Sequence, residues 1–336
     1  MILVHFHDVF VGTSLIPDLD DLQKPLLSKL LRDCPDDHGR NDKPIIGILS
    51  QDINAKKLRS IYGTYTTSTR TTPSFIAASY VKWIESAGAR VVPVLLSQPP
   101  EYYTALMSKI NGVLFPGGGV SLTDSGYAQT GKLLYAMAKE MNDKGNYFPI
   151  WGTCLGYELL TVLTADGCFL TSCNAENVSL PLQFPSGYKL SRMFSPASKE
   201  VTDILANESS TANSHRKCLT PASFSASGLK DKLRPTSYST AQDGVTFIAA
   251  VEDLQYPFYG VQFHPEKAHF EFHHPSAYSH SQHAILASQY FANFFVSQTR
   301  MNKQRFQNQE EEDKYSIYNW NPMFSKATIY DQMYLF

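Results

Sequence analysis

The sequence predicts a three-layer α/β sandwich of the flavodoxin-like type, in which helices cover both faces of a mostly parallel central sheet. Two observations carry this prediction: short runs of Ile, Val and Leu alternate with segments of helical periodicity, and several runs end in glycines. A short apolar run without polar alternation is typical of a strand that is buried on both faces. Right-handed crossovers between such strands would place a ligand site outside their carboxyl ends.

Each element in this order has its own signal. Strands are predicted where the apolar runs fall, at 45–49, 89–96, 111–119 and 149–153. Helices are predicted between these runs and near the end of the domain, at 74–87, 101–109, 127–144, 155–160 and 282–298. Gly88 follows the first of these helices, as a C′ glycine does. Between 167 and 260 short strands with frequent Ser, Pro and Gly replace the helical pattern, so this half is expected to be β-rich or mixed.

Length and composition fit one large domain with extensions. The chain has 336 residues, of which 43% are hydrophobic, enough to bury a substantial core. We expect an N-terminal extension at 1–42, a main domain at 43–300 and a tail at 301–336 whose aromatic residues pack back on the domain. The net charge of −2 argues against nucleic acid and against an anionic membrane as partners, and no apolar run is long enough to cross a bilayer. A small molecule is the expected partner.

Cysteines and glycosylation triplets bear on the compartment. Five cysteines are too few for a disulfide scaffold, and their odd number leaves at least one thiol outside any intrachain pair. Two N-glycosylation triplets, at Asn177 and Asn207, are consistent with a luminal protein. Residues 1–17 are weakly apolar but lack a basic region, so a signal peptide is not evident there.

A nucleophile is predicted at Cys154. The cysteine lies between Gly152 and Gly156, where a strand is expected to end and a helix to begin, in the G-x-C-x-G analogue of the nucleophile elbow. Such a turn needs small flanking residues because the nucleophile adopts a strained conformation. The helix N-terminus is expected to lower the pKa of the thiol and to favour the thiolate. A buried structural cysteine in a glycine-rich turn is the alternative.

The acid/base partner is predicted at His264. A thiolate nucleophile needs a general acid for the leaving amine, and an imidazole oriented by a carboxylate serves near neutral pH. If 261–263 is a strand that Pro265 ends, His264 and Glu266 lie on the same side, and the carboxylate can orient the ring. The alternative is a surface His-Pro-Glu turn.

Backbone donors for an oxyanion are predicted in the glycine run that ends the strand at 111–119. Gly118 or Gly119, together with the N–H of Leu155, is the candidate pair, and a plain turn is the alternative. His215 lies outside any strong period and could be a surface residue or line the site. The histidine-rich stretch at 269–283 lacks the spacing of a metal motif, so we predict no metal ion and no cofactor.

In order and spacing these motifs resemble the gamma-glutamyl hydrolases, a folate-processing family of the class I glutamine-amidotransferase-like superfamily. The similarity runs from Lys43 to Phe336 and includes KPIIGILSQ, INGVLFPGG, YFPIWGTCLGYELL, YGVQFHPEK and the tail ending in YLF. It implies an amidotransferase-like fold. It also implies a cysteine-type peptidase that cleaves γ-glutamyl bonds of folyl- and antifolate-polyglutamates through a thioester, without a cofactor.

The resemblance also implies roles for single residues. Cys154 would be the nucleophile, His264 the acid/base and Glu266 the group that orients it. Tyr80 would assist at the oxyanion, and His215 would line the site and support activity. The resemblance further implies a homodimer and a lysosomal or secreted enzyme.

Two other functions fit the same motifs. A glutaminase domain that supplies ammonia to a synthase would share the triad, but such domains usually carry Gln four residues after the cysteine, where this chain has Glu158. A binding protein that only keeps the fold is disfavoured by the complete Cys-His-Glu set. Two residues beyond His215 the family has tryptophan and this chain has Lys217, a departure that bears on substrate preference rather than on the chemistry.

Overall fold

The computed structural model describes residues 39–53, 58, 73–272, 276–325 and 328–336. The predicted extension at 1–42 lies almost entirely outside these residues. Residues 41–336 form one compact unit. None of the described helices is both long and apolar enough to cross a membrane.

Strands and helices alternate through the first half of this unit. The strands are β1 (Ile45–Leu49), β2 (Gln51–Asp52), β3 (Ser74–Ala77), β4 (Arg90–Val94), β5 (Gly112–Phe115), β6 (Ile150–Thr153), β7 (Thr171–Leu180), β8 (Thr211–Cys218), β9 (Leu233–Thr240), β10 (Thr246–Asp253), β11 (Phe258–Val261), β12 (Met323–Phe324) and β13 (Gln332–Leu335). The helices are α1 (Ala78–Ser86), α2 (Pro100–Met107), α3 (Gly126–Asp143), α4 (Leu155–Ala165), α5 (Lys199–Asn207), α6 (Pro221–Ala226), α7 (Lys267–Phe270), α8 (Gln282–Thr299) and α9 (Gln309–Tyr315).

The central sheet of the described chain has seven strands in the order β4-β1-β5-β6-β11-β10-β9. The neighbours from β4 to β11 pair in parallel, whereas β10 pairs antiparallel with both β11 and β9. The carboxyl ends of β5, β6 and β11 therefore lie side by side at one edge of the sheet. This is the edge at which a ligand site was expected.

Two hydrophobic cores lie on the two faces of the central sheet. Along β1, Ile46 and Ile48 belong to the core that contains α1 and α8. Ile45 and Leu49 belong to the other core, together with residues of α2, α3 and α4. Because successive side chains of a strand point to opposite faces, helices cover the sheet on both sides. The predicted three-layer α/β sandwich is confirmed.

A second, smaller sheet corrects the prediction of one helix. The segment 74–77, predicted as the first turn of a helix, is β3, and α1 begins only at Ala78. β3 pairs antiparallel with β2 and with β13, in the order β12-β13-β3-β2. Phe75 and Ile76 suit a strand as well as a helix, and their strand partners are distant in sequence. Gly88, with a φ of 87°, follows α1 as predicted.

The β-rich half contains an antiparallel ribbon of β7 and β8. A disulfide between Cys173 and Cys218 joins its two strands, with their Cα atoms 5.9 Å apart. Among the described cysteines, Cys154 is free and buried and Cys168 is free and exposed. The ribbon reaches the edge of the central sheet at which β11 ends, because the N–H of His264 donates to a carbonyl of β8.

Candidate active site

Cys154 occupies a strained turn between β6 and α4. Its φ of 50° and ψ of −104° depart from the ordinary regions for a residue with a side chain. A methyl group built on Gly152 would lie 2.6 Å from the carbonyl carbon of Gly156, and one built on Gly156 would lie 2.0 Å from the carbonyl oxygen of Phe115. Both flanking positions therefore exclude any larger residue. The geometry is that of a nucleophile elbow.

The electrostatic surroundings of Cys154 correct one expectation. Burial raises the pKa of the thiol, and the carboxylates of Glu158 and Glu266 raise it further. The N–H of Leu155 and the charge of Lys267 lower it, but these effects are smaller. The lowering predicted from the helix N-terminus is thus outweighed by burial. Removal of the proton from a thiol whose pKa is raised calls for a base beside it.

That base is placed by a turn rather than by strand alternation. β11 ends at Val261, so the predicted strand at 261–263 is wrong. The chain instead turns so that the N–H of His264 donates to the carbonyl of Ala212 at 2.7 Å. Pro265 follows, and Glu266 immediately precedes α7. The pairing of histidine and carboxylate predicted from sequence is present, but helical curvature at the start of α7 produces it.

His264 and Glu266 form a buried hydrogen-bonded pair. Nδ1 of the ring lies 2.7 Å from Oε1 of the carboxylate, and the two side chains are 2% and 0% exposed. Burial lowers the pKa of His264, and Glu266 offsets part of that effect. Burial alone would raise the pKa of Glu266, but His264 brings it below its usual value. The carboxylate is therefore ionised and holds Nδ1, and Nε2 takes no part in this bond.

Gly117 is the point at which the nucleophile, the base and Tyr80 meet. A methyl group built on it would lie 2.5 Å from Cε1 of His264, 2.7 Å from the Tyr80 hydroxyl and 3.2 Å from Cβ of Cys154. The N–H of Gly117 donates to the Tyr80 hydroxyl at 2.8 Å, and that hydroxyl lies 3.2 Å from Nδ1 of His264. The sequence had singled out the two glycines that follow Gly117. Gly117 belongs to the same FPGGG motif as these two glycines, and this motif is the sequence feature that could have identified it.

Gly118 and Gly119 have different surroundings. Gly118 packs against the Gln51 side chain so tightly that an added methyl group would overlap Oε1 at 1.6 Å, whereas Gly119 has open space around it. The N–H of Leu155 interacts with the Cys154 thiol. The role of the N–H groups of Leu155 and of Gly118 or Gly119 as oxyanion donors stays a prediction.

His215 is a buried residue of β8 and not a surface residue. Its Nε2 lies 3.1 Å from Oδ1 of Asn213, its Nδ1 lies 2.9 Å from the Lys217 carbonyl, and its ring packs edge-on against Phe247. Burial lowers its pKa to about 4, and the nearby His264 contributes to the lowering. The structure thus brings His215 into the electrostatic surroundings of the base.

A glutamine and a glutamate beside the nucleophile were missed as site residues. Nε2 of Gln262 donates to Oε1 of Glu158 at 3.0 Å and approaches Sγ of Cys154 at 3.9 Å. Burial raises the pKa of Glu158 to about 7. Glu158 lies one helical turn beyond Cys154, so this spacing could have predicted that its side chain lies beside the nucleophile. Gln262 and Glu158 thus form a polar surface beside the nucleophile, and the carboxyl group of Glu158 titrates near neutral pH.

The C-terminal segment adds another wall. The hydroxyl of Tyr330 donates to the Gly117 carbonyl at 3.4 Å, and its ring lies 5.1 Å from Nζ of Lys267. Tyr278 lies at the same distance on that ammonium group. Lys267 is fully buried, so its charge acts directly on the catalytic carboxylate. Nothing local in the sequence places Tyr330 at the site.

Comparison with known proteins agrees with this geometry. The model of the family Peptidase C26 matches residues 44–266, a range that contains the nucleophile, the base and its carboxylate. Gamma-glutamyl hydrolase of Homo sapiens is 41% identical over 298 residues, covering 88% of this chain and 90% of the relative. Gamma-glutamyl hydrolase B of Dictyostelium discoideum is 38% identical over 304 residues, covering 88% and 84%.

A solved structure of a glutamine amidotransferase from Thermotoga maritima aligns with a TM-score of 0.35 at 12% identity, covering 66% of this chain and 76% of that chain. That likeness is too distant to bear on function. The family match spans Cys154, His264 and Glu266, and each of the two relatives covers 88% of the chain. The chain therefore belongs to the gamma-glutamyl hydrolase family, within peptidase family C26, and is a cysteine-type hydrolase.

Proposed function

We propose that the protein hydrolyses γ-glutamyl amide bonds of folyl- and antifolate-polyglutamates through a thioester on Cys154. Family membership supports the bond type, and the relatives share the name gamma-glutamyl hydrolase rather than that of a glutaminase. The single observation that carries the mechanism is the buried bond of 2.7 Å between His264 and Glu266, which lies with Cys154 around Gly117. This set provides a nucleophile, a proton carrier and an orienting charge.

The first half-reaction forms the thioester. Nε2 of His264 takes the thiol proton as Sγ of Cys154 attacks the γ-carbonyl carbon, and the Glu266 carboxylate stabilises the imidazolium that results. The imidazolium then protonates the leaving amine, and the carbon–nitrogen bond breaks. Because burial raises the pKa of the thiol, His264 is needed to remove its proton. The pteroyl-bearing fragment stays on sulfur as a γ-glutamyl thioester, and glutamate or a γ-glutamyl peptide leaves as the amine, according to the bond that is cleaved.

The second half-reaction releases the acyl group. Neutral His264 accepts a proton from water, which attacks the thioester carbonyl, and the thiolate of Cys154 leaves and recovers the proton. Backbone donors at the elbow would stabilise both tetrahedral intermediates. The Leu155 N–H, with Gly118 or Gly119, is the proposed pair.

The test is a comparison of substrates on the purified protein. We expect turnover of pteroylpentaglutamate and little or no release of ammonia from glutamine. Acid quenching followed by mass spectrometry should show a pteroylglutamyl thioester, joined through a γ-carbonyl, on the peptide that contains Cys154. Glutamine turnover that exceeds cleavage of the pentaglutamate would favour the glutaminase function. No cleavage of either compound would contradict the proposal.

We also propose a luminal or secreted location for the enzyme. Asn177 and Asn207 are exposed, and Asn177 accepts the N–H of Ala277 through Oδ1, whereas glycan attachment uses Nδ2. Mass spectrometry of the native protein before and after glycosidase treatment should show a shift at one of the two sites. An unshifted mass together with an intact Met1 terminus would contradict a luminal route.

The family resemblance further supports a homodimer. Light scattering coupled to size-exclusion chromatography should give about twice the chain mass of 37.6 kDa. A mass of one chain at micromolar concentration would contradict this proposal.

A further inference from the structure

A second cluster of metal-ligating side chains lies in the ribbon of β7 and β8. Nδ1 of His215 lies 3.8 Å from Sγ of Cys173 and 3.7 Å from Sγ of Cys218. All three residues are buried, and their ligand atoms lie within 4.8 Å of one another. In the structure the two sulfurs form a disulfide. The reaction at Cys154 uses neither of them.

The ring of His215 faces two hydrogen-bond acceptors. The Lys217 carbonyl lies 2.9 Å from Nδ1, and Oδ1 of Asn213 lies 3.1 Å from Nε2. The orientation of the Asn213 amide is fixed, because its Nδ2 donates to the Thr211 carbonyl at 2.7 Å. A neutral imidazole has one N–H and can satisfy only one of the two acceptors. One ring lone pair therefore points at an oxygen without a proton between them.

A cation at Nδ1 would resolve this mismatch. Nε2–H would then donate to Asn213, and the lone pair of Nδ1, which faces the Lys217 carbonyl, would bind the cation beside the two sulfurs. A ligating histidine whose other nitrogen donates to a neighbouring oxygen is the usual arrangement in metal sites. Zinc–sulfur bonds of about 2.3 Å and zinc–nitrogen bonds of about 2.0 Å place such ligands roughly 3.5 Å apart. The distances from Nδ1 to the two sulfurs are already close to this value.

We propose that reduction of the Cys173–Cys218 disulfide creates a site for a soft divalent cation such as Zn²⁺, with Cys173, His215 and Cys218 as ligands. A dithiol reductant supplies two electrons and two protons to the sulfur–sulfur bond and leaves as a cyclic disulfide. A phosphine supplies the two electrons, water supplies the oxygen and the two protons, and the phosphine leaves as its oxide. The cation then displaces the two thiol protons and binds both thiolates. Two thiolates and an imidazole are the ligands that zinc prefers.

The cluster lies beside a surface cavity and is connected to the catalytic histidine. The cavity, of about 480 Å³, is lined by Cys173 and by Ser172, Asn174 and Arg216. The same strand β8 supplies the carbonyl that accepts the N–H of His264. An ion held by His215 would therefore act on a strand that positions the base.

Cobalt titration of the full chain tests the proposal. The Cys154→Ala background removes the catalytic thiol as a competing ligand. After reduction with a phosphine and its anaerobic removal, one equivalent of Co²⁺ should give a thiolate-to-cobalt charge-transfer band and the visible bands of a tetrahedral ion. The oxidised protein should give neither. Excess Zn²⁺ should abolish both sets of bands.

Matched variants locate the ligands. Cys168→Ser, which removes the exposed free thiol, should leave the spectrum unchanged, whereas Cys218→Ser and His215→Ala should each weaken Co²⁺ binding at least about tenfold. Unchanged spectra in either ligand variant would overturn the assignment. Melting temperature gives a second measurement, because Zn²⁺ should raise it for the reduced chain and not for the oxidised chain. Equal melting temperatures with and without Zn²⁺, or loss of the native circular dichroism spectrum despite Zn²⁺, would also overturn the proposal.

Discussion

Nδ1 of His264 and Oε1 of Glu266 lie 2.7 Å apart in a pair that water does not reach. This contact fixes which ring nitrogen faces the substrate. It also raises the pKa of His264, which burial lowers. Supplying a proton and orienting the group that carries it are therefore separate roles, and two substitutions should separate them.

His264→Asn should lower kcat by about 10³-fold or more, since it removes the proton carrier. Glu266→Gln should cause a smaller loss. It should also move the acidic limb of the kcat/KM profile to lower pH, because the carboxylate that raises the pKa of His264 is gone. Wild-type activity of His264→Asn would remove the histidine from the mechanism, and an unmoved limb would contradict the role of Glu266.

Cys154→Ala should abolish turnover and keep the fold, since the elbow accepts a small residue but no thioester can form without sulfur. Cys168→Ala is the matched control, because that thiol is exposed and has no role in the proposed reaction. This variant should retain full activity. Steady-state rates and circular dichroism check both variants. More than trace activity in Cys154→Ala would exclude this residue as the nucleophile.

Gly117→Ala should cost about 10²-fold in kcat, because its methyl group would displace the His264 ring or the Tyr80 hydroxyl. Gly119→Ala makes the same chemical change two residues later, where nothing lies within 4 Å, and it should be nearly neutral. Equal activity of the two variants would show that the position of the His264 ring does not depend on the absence of a side chain at Gly117.

Glu158→Gln should change the pH dependence of stability. Burial raises the pKa of Glu158 to about 7, so the wild-type fold loses stability as pH rises from the unfolded value near 4.5 through about 7. The variant lacks this loss. Relative to wild type it should gain stability between pH 5 and pH 8, by at most about 3 kcal/mol. Urea unfolding at the two pH values measures the difference, and a constant difference would contradict the raised pKa.

Local patterns in the sequence were sufficient for four strands of the central sheet and for the three residues proposed as the triad, which the structure brings together. The buried strands β1, β4, β5 and β6 appear as apolar runs, and the glycines around Cys154 mark the elbow. Each of these signals extends over a few consecutive residues. Strand alternation was the wrong reason for the pairing of His264 with Glu266, because a turn into a helix also brings residues two apart together.

Contacts between distant segments could not be predicted in this way. β3 was taken as helix because its partners, β2 and β13, cannot be recognised from the residues at 74–77. Tyr330 reaches Gly117 across 213 residues of sequence. The raised pKa of the Cys154 thiol also depends on burial and on carboxylates from two segments, so a rule based on the helix N-terminus alone had the wrong sign.

The pairing of β3 with β13 has a consequence for biosynthesis. Lys82, in the middle of α1, the helix that follows β3, bonds to Gln332, a residue that the ribosome adds 250 positions later. During translation, β3 must wait without this neighbour while the rest of the sheet assembles, and its unpaired edge is open to other chains. Chaperone dependence during synthesis should therefore concentrate on β3, and the wall of the pocket that holds Tyr330 is completed last.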